Sequence, residues 1–394
     1  MNIGEISSAQ DFGVNLGTVD LGQTQIRVYN GGTIHGLDGA YIGSGNADSL
    51  VNRGVLLGGV DMGSGNDTLD NWSSRIEGDV LLGDGNDVFD NRRGTVTGEV
   101  DGGAGNDTIR ANADTAEVLR GGAGTGDVLD LSFGPGVVMS LDGTVQNGGG
   151  SVGDSYDGFE FVYGSSTGSD QIRGNADTNY LYGFGGNDTL DGAAGDDQLW
   201  GGAGADSLIG GDGLDFARYD DGDWGNLSLR LDNAAFNSGA AAVGDTYSGI
   251  EGLVGGAGAD LIIGNSAANW LYGQGGADYI DGQGGSDYLS GGAGADQFRF
   301  STALGAGNID TIADFQHGVD DILLAQAIFA AIGASLTADE FRIGMAQDAN
   351  DFLLYNNITG QLFYDSNGNA AGGMVQFATV TAGTMLTFDD FIMV

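Results

Sequence analysis

Apolar residues recur along this chain on a beat set by aspartate. Asp48, Asp67, Asp87, Asp107 and Asp127 are spaced 19, 20, 20 and 20 apart. Each is followed two places later by an apolar residue: Leu50, Leu69, Phe89, Ile109 and Leu129. A second apolar set alternates around glycine, in Leu56-Gly58-Val60, Ile76-Gly78-Val80 and Val96-Gly98-Val100. Alternation is strand period, so this set predicts a strand on the other half of each coil. It fails at Ala116-Val118-Arg120, where the register shifts.

From residue 164 the beat tightens to nine. Asp170, Asn179, Asp188, Asp197, Asp206 and Asp215 form one unbroken series, and Asp260, Asn269, Asp278, Asp287 and Asp296 a second. Both carry asparagine at the second place. Each block follows a similar segment, SVGDSYDGFEFV at 151–162 and AVGDTYSGIEGLV at 242–254. Asp170 to Asp260, Asp188 to Asp278 and Asp206 to Asp296 are each 90 apart, so the middle of the chain is a duplication. After Phe298 the beat stops. NIDTIADF and DDILL predict short strands, LAQAIFAAIG a short helix, and DFLLYNNITGQLFYDSNG a hairpin over a Thr-Gly turn.

The nine-residue unit is G-G-x-G-x-D-x-U-x, with U apolar. Glycines permit positive φ, so such a loop can aim several carbonyl oxygens at one spot. The aspartate adds a carboxylate, and oxygen-only ligands of flexible geometry suit calcium. The U residue starts a short strand and points inward. Two units make one coil of eighteen, and an ion then bridges loops eighteen apart. The expected pairs are Asp170/Asp188, Asn179/Asp197, Asp188/Asp206, Asp197/Asp215, Asp260/Asp278, Asn269/Asp287 and Asp278/Asp296. The loop glycines Gly183, Gly192, Gly201, Gly210, Gly273, Gly282 and Gly291 join the candidate ligand set, as do Asp48, Asp67, Asp87, Asp107 and Asp127. Turn preference alone explains Asp and Gly in loops, but not their strict phasing.

This pattern, over roughly residues 36–298, resembles the RTX (repeats-in-toxin) family, whose nonapeptide is a calcium-binding parallel β-helix repeat. The resemblance implies a mainly β fold: a parallel β-solenoid of β-roll or β-helix type with calcium in its turns. It also implies export by a type I secretion apparatus that reads an uncleaved C-terminal signal. The ending DDFIMV is similar to such signals. The twenty-residue section departs from the strict nonapeptide, with one glycine-aspartate edge per coil. Expected domains are an N-terminal cap (1–35), a solenoid of twenty-residue repeats (36–130), the duplicated nonapeptide blocks (131–298) and a C-terminal capping and secretion unit of α+β type (299–394).

Charge sharpens this reading. Arg and Lys number 12 against 55 acids, so the formal charge is 12 − 55 = −43. That excludes a nucleic-acid-binding surface, which must be basic, and it works against any compact state by self-repulsion. With 41% hydrophobic residues recurring regularly, disorder is not the expectation; cations completing the fold are. There is no cysteine, hence no disulfide or thiolate site. The segment MNIGEISSAQDFG lacks the form of a secretory signal peptide, and no apolar run is long enough to span a membrane. A calcium site at ten times its dissociation constant contributes about 1.4 kcal/mol, and about ten such sites roughly 14 kcal/mol if independent.

Other motifs weigh less. GSSTG (164–168) and GGSVG (149–153) match G-x-S-x-G, but a nucleophile elbow needs a strand-turn-helix setting and a later histidine; His317 is the later one. No H-E-x-x-H occurs, which excludes a zinc protease of that type. Arg75, Arg92 and Arg93 near Asp70 and Asp90 read as surface arginines. DSNGN (365–369) starts like an EF-hand, yet Ala370 and Gln376 stand where glycine and glutamate belong. Trp72, Trp200, Trp224 and Trp270, with Tyr182 and Tyr272, read as core or cap packing, or as carbohydrate platforms. Thr337 and Glu340 have capping-box spacing. The chain has almost no room for a catalytic domain beside its repeats. The first expectation is therefore a non-enzymatic, secreted calcium-binding structural protein of the cell surface or extracellular matrix, such as a surface-layer, filament or biofilm component, that self-associates. A polysaccharide- or ester-acting enzyme and an adhesin for a cell-surface glycan are the alternatives.

Overall fold

The computed structural model describes residues 14–15, 26–36, 39–111, 117–144, 147–149 and 153–394. The chain divides into two compact units, Met1–Trp200 with Gly211–Gly213, and Gly201–Gly210 with Leu214–Val394. Both are parallel β-solenoids, and no described helix is long and apolar enough to cross a membrane.

In the first unit a twenty-residue coil has three walls. One wall stacks Tyr41–Ser44, Val60–Gly63, Val80–Asp84 and Glu99–Ala104; the second stacks Asp48–Asn52, Thr68–Asp70, Val88–Asp90, Thr108–Arg110 and Val128–Asp130; the third stacks Thr33–His35, Val55–Leu57, Arg75–Glu77 and Thr95–Val96. Val80 lies beside Val100, Phe89 beside Ile109 and Ile76 beside Val96. The predicted inward residues Leu50, Leu69, Phe89, Ile109 and Leu129 are fully buried. The glycine-centred triplets are not single strands. Gly58 (φ 131°) and Gly78 (φ 143°) turn the chain from the third wall into the first. A Cβ on Gly78 would stand 2.6 Å from the Gly59 nitrogen, so only glycine passes the corner.

A second corner of the same coil is held by an amide ladder that the sequence reading missed. Asn30 Nδ2 donates to Asn52 Oδ1 (2.8 Å), Asn52 to Asn71 (2.7 Å) and Asn71 to Asn91 (2.7 Å). All four are buried, and each satisfies its neighbour one coil away.

The last described strand of the third wall is Thr95–Val96; one longer coil then carries the chain 33 residues from Asp127 to Glu160, after which the coils are eighteen residues long. The second wall continues through Phe161–Tyr163, Tyr180–Tyr182 and Gln198–Trp200, now facing a sheet of Val137–Ser140, Gln171–Arg173 and Thr189–Ala194. Two short strands per coil leave a two-walled roll. Its outer face carries aromatic cross-strand pairs: Phe161 stacks on Tyr180 at 4.2 Å and Tyr182 on Trp200 at 4.3 Å.

The second unit repeats this roll. Phe216–Arg218, Gly252–Val254, Trp270–Tyr272, Tyr288–Ser290 and Asp310–Ile312 form one wall. Ser228–Arg230, Leu261–Ile263, Tyr279–Asp281, Gln297–Phe300 and Asp321–Leu324 form the other. The C-terminal stretch carries on both walls. Met374–Val380 pairs with Asp310–Ile312, and Phe391–Met393 with Asp321–Leu324. The predicted hairpin is present as Leu353–Asn356 against Gln361–Asp365, and residues 366–373 link it to Met374–Val380 as a second hairpin turn. The predicted helix is not present. Residues 326–331 form irregular turns, and 299–394 contains strands and the 3-10 turn Phe388–Asp390, so its α+β character is corrected to β. A nine- or ten-residue apolar stretch is too short to hold a helix by itself. Here Phe329 is pulled into a cluster with Tyr364 (5.1 Å) and Phe377 (5.2 Å).

Candidate metal centre

Every repeat aspartate stands at the end of its loop, one residue before an inward-facing strand. Asp48, Asp67, Asp87, Asp107, Asp127, Asp170, Asn179, Asp188, Asp197, Asp206, Asp215, Asp260, Asn269, Asp278, Asp287 and Asp296 are each at most 2% exposed. Residues serving only to form a surface turn would face water, so this burial needs partners.

Along the stack, one oxygen of the later carboxylate of each pair binds the coil before it. Asp67 Oδ1 accepts the Asp48 N–H at 2.6 Å, Asp87 that of Asp67 at 2.7 Å, Asp107 that of Asp87 at 2.8 Å and Asp127 that of Asp107 at 2.7 Å. Asp188 does the same for Asp170 (2.8 Å), and Asp197 for Asn179 (2.7 Å). In the second unit Asp278 accepts from Asp260 (2.8 Å), Asp287 from Asn269 (2.8 Å) and Asp296 from Asp278 (2.9 Å). Five of the pairs expected from the spacing are thus in hydrogen-bond contact.

The second oxygen has two fates. In Asp48, Asp170 and Asp260 it turns back to its own loop, accepting from Ser44 (2.8 Å), Ser165 (2.7 Å) and Gly256 (2.9 Å). Asn179 and Asn269 place their one oxygen likewise, on the Asn175 and Asn265 amides at 2.8 Å. In Asp67, Asp87, Asp107, Asp127, Asp278 and Asp287 it is buried with no hydrogen-bond partner. An anionic oxygen left so is costly unless a cation meets it.

Loop glycines stand beside the oxygens of Asp107, Asp278 and Asp287, whereas buried Met62 and Leu82 hold the corresponding places before Asp67 and Asp87. A Cβ on Gly273 would collide with Asp278 Oδ2 and stand 2.6 Å from the Gly291 carbonyl oxygen. A Cβ on Gly255 would stand 2.5 Å from Asp260 Oδ2 and 2.9 Å from the Gly273 carbonyl oxygen. Gly192, Gly201, Gly210, Gly282 and Gly291 likewise face the carboxylate five residues on, while Gly183 donates its N–H to the Trp200 carbonyl at 2.8 Å. The absent side chain keeps open a cradle walled by a carboxylate oxygen and a glycine carbonyl from the adjoining coil. Among the described residues no three acidic or histidine side chains converge on one point, so further ligands must be carbonyl oxygens. That oxygen-only set fits calcium.

Burial and neighbouring carboxylates set the protonation of these groups. Burial, opposed by the amide bonds, pushes Asp67 and Asp278 up to about 7, and Asp87 and Asp107 up to about 6. Burial raises both Asp287 and Asp310 well above the usual carboxylate range, helped at Asp287 by the Asp310 charge and at Asp310 by the Asp281 charge. Metal-free, these aspartates hold their protons to higher pH than an exposed carboxylate does.

The family model of the RTX calcium-binding nonapeptide repeat (4 copies) matches residues 99–125, 164–199, 182–217, 246–278 and 263–298. These segments carry RTX calcium-binding nonapeptide repeats. Nonapeptide repeats of this kind bind Ca2+; the orphaned oxygens of Asp107, Asp278 and Asp287, each with its loop glycine, lie within the matched segments, those of Asp67 and Asp87 before the first and that of Asp127 just after it. No curated protein matches the chain. Among solved structures, the extracellular lipase LipA from Serratia marcescens is 18% identical over 59% of this chain and 40% of that one, with a TM-score of 0.18.

The remaining motifs of the chain take structural places. Ser166, the serine of GSSTG, lies in a turn between the strands Phe161–Tyr163 and Gln171–Arg173, not before a helix; residues 150–152 of GGSVG lie outside the described residues. His317 Nδ1 bonds Asp390 at 2.8 Å. Arg92 pairs with Asp90, and Arg93 lies 4.9 Å over the Trp72 ring. Trp224 donates to Asp221.

The structure adds carboxylates that the nine-residue beat does not contain. Glu160 accepts the Asp127 N–H (2.9 Å), Asp154 that of Glu117 (2.7 Å), Asp245 that of Asp206 (2.8 Å) and Glu251 that of Asp215 (3.1 Å). Asp310 accepts from Asp287 (3.1 Å) and Asp320 from Asp296 (3.0 Å). A signal for four of them was present: Asp154 and Asp245, like Glu160 and Glu251, occupy the same places in the two segments that precede the blocks.

Proposed function

We propose that this chain is a secreted structural protein of the cell surface or extracellular matrix, folded by calcium and joined end to end by its solenoids. The observation that carries the calcium-dependent part is the row of buried, partnerless carboxylate oxygens at Asp67, Asp87, Asp107, Asp127, Asp278 and Asp287, four of which, at Asp107, Asp127, Asp278 and Asp287, belong to carboxylates with a loop glycine beside them. Such a row leaves the compact state short of stability until cations enter, and about ten ions at ten times their dissociation constants supply roughly 14 kcal/mol. The ligands are the repeat aspartates together with loop carbonyls. Asp48, Asp170, Asp260 and the two asparagines hold calcium more weakly, because their second oxygen, or in the asparagines the one side-chain oxygen, already has an amide partner.

Export follows the same physics. In low calcium the carboxylates repel and the chain stays extended enough to thread a type I exporter; outside, calcium folds it. The ending Phe391–Met393 becomes a strand, and Asp390 is buried against His317, so folding changes the form in which the C-terminal signal is presented. Self-association rests on the parallel solenoid: the edge strand Phe391–Met393, paired on one side with Asp321–Leu324, offers another copy an edge to extend.

The test is calcium titration of the chelated protein, followed by circular dichroism and light scattering together. Gain of β signal with growing particle size is the expected result. Folding without growth removes the assembly role, and no folding removes the calcium role.

A further inference from the structure

The carboxylates outside the repeats occupy repeat positions. Glu160 precedes Phe161–Tyr163 as Asp127 precedes Val128–Asp130, and these strands pair Val128 with Phe161. Asp310 stands to Asp287 in the same way, since Tyr288 pairs with Thr311. In both places the nonapeptide has broken off: 33 residues separate Asp127 from Glu160 and 23 separate Asp287 from Asp310. Yet the N–H of the preceding aspartate still finds a carboxylate oxygen, and the preceding aspartate still holds a buried Oδ2 without a partner. Beside Asp127 the cradle is also retained: a Cβ on Gly121 would collide with the Gly158 carbonyl oxygen and lie 2.7 Å from the Asp127 Cβ.

We propose that Glu160 and Asp310 are calcium ligands, completing with Asp127 and Asp287 two ion sites at the breaks in the repeat. The inference rests on the reading that the repeat aspartates bind calcium, and extends it to residues outside the nonapeptide. A ladder oxygen needed only for the hydrogen bond could be an amide, because an amide oxygen accepts an N–H equally well. A ligand that shares its ion with a single orphaned carboxylate loses half the site's charge when made an amide, so the amide variant gives up the ion at calcium concentrations that keep the native site filled. The distinction is therefore between Gln or Asn, which keep the acceptor, and the native acid.

The experiment counts calcium bound per chain in the folded, calcium-loaded protein for native, Glu160→Gln, Asp310→Asn and Asp278→Asn chains. Loss of one ion in each of E160Q and D310N is the expected result, with Glu160→Asp retaining the native count at weaker affinity. Native counts in E160Q and D310N, with one ion lost in D278N, overturn the proposal and leave the repeat sites standing. A native count in D278N as well overturns the repeat reading itself. Should E160Q fail to fold in calcium while E160D folds, charge rather than hydrogen bonding is what the position needs, which supports the proposal; should neither fold, D310N decides it.

Discussion

Asp278 shows at the scale of one residue why this chain needs a cation. Its Oδ1 is committed to the Asp260 amide at 2.8 Å, its Oδ2 faces the Gly273 cradle, and burial lifts its pKa to about 7. Asp67 behaves alike, and Asp87 and Asp107 rise to about 6. In the unfolded chain an aspartate titrates near 4. Between about pH 4 and 7 the folded, metal-free state therefore binds more protons than the unfolded one, and its stability falls as pH rises through that window. Calcium takes the place of the proton, so its affinity rises over the same window. Chelated protein should show more β signal by circular dichroism at pH 5 than at pH 8, and the calcium midpoint should move to higher concentration at pH 6 than at pH 8. A metal-free β signal that grows with pH would contradict this account.

At the scale of the element, one loop shows that its glycines are not equivalent. Gly273 cannot carry a Cβ without striking Asp278 and crowding Gly291, whereas a Cβ on Gly275 meets only Ala257 at an ordinary 3.8 Å. Gly273→Ala should weaken the calcium-loaded fold by about 1–3 kcal/mol through overpacking, and Gly275→Ala should stay within about 0.5 kcal/mol; thermal unfolding in calcium measures both. The repeat was legible in the sequence because aspartate, glycine and an inward apolar residue recur at fixed offsets, as at Asp206, Gly201 and Leu208. The number of walls was not. Leu56-Gly58-Val60 alternates whether the chain runs straight or turns at the glycine, and only the neighbouring coil at Gly78 and Gly59 decides for the turn. The segment 325–333 misled for a related reason. Its apolar spacing suits a helix, but Phe329 earns more by packing on Tyr364 and Phe377 than a single helical turn returns.

For the whole molecule, 55 acids meet 12 cationic side chains, all of them arginine. The described ion pairs, such as Arg53 with Asp70 and Arg230 with Asp232, lie half-exposed on outer faces, where each contributes little. The carboxylates that matter are inside, beyond the reach of screening ions. Sodium chloride at high concentration should therefore leave the chelated chain largely unfolded, while millimolar calcium folds it; recovery of the full β spectrum in salt alone would show that surface repulsion, not site occupancy, controls folding.

By itself the sequence determined the period, the inward residues, the loop chemistry and the need for cations, because each follows from residue types at fixed spacing and from net charge. Tertiary structure decided what depends on the adjoining coil: the third wall turned at Gly58, the Asn52–Asn71–Asn91 ladder, the orphaned oxygens of Asp127 and Asp287, and the entry of Glu160 and Asp310 into positions the repeat had vacated. Residues 23 or 33 apart become neighbours only through strand pairing, and no local pattern encodes that registration.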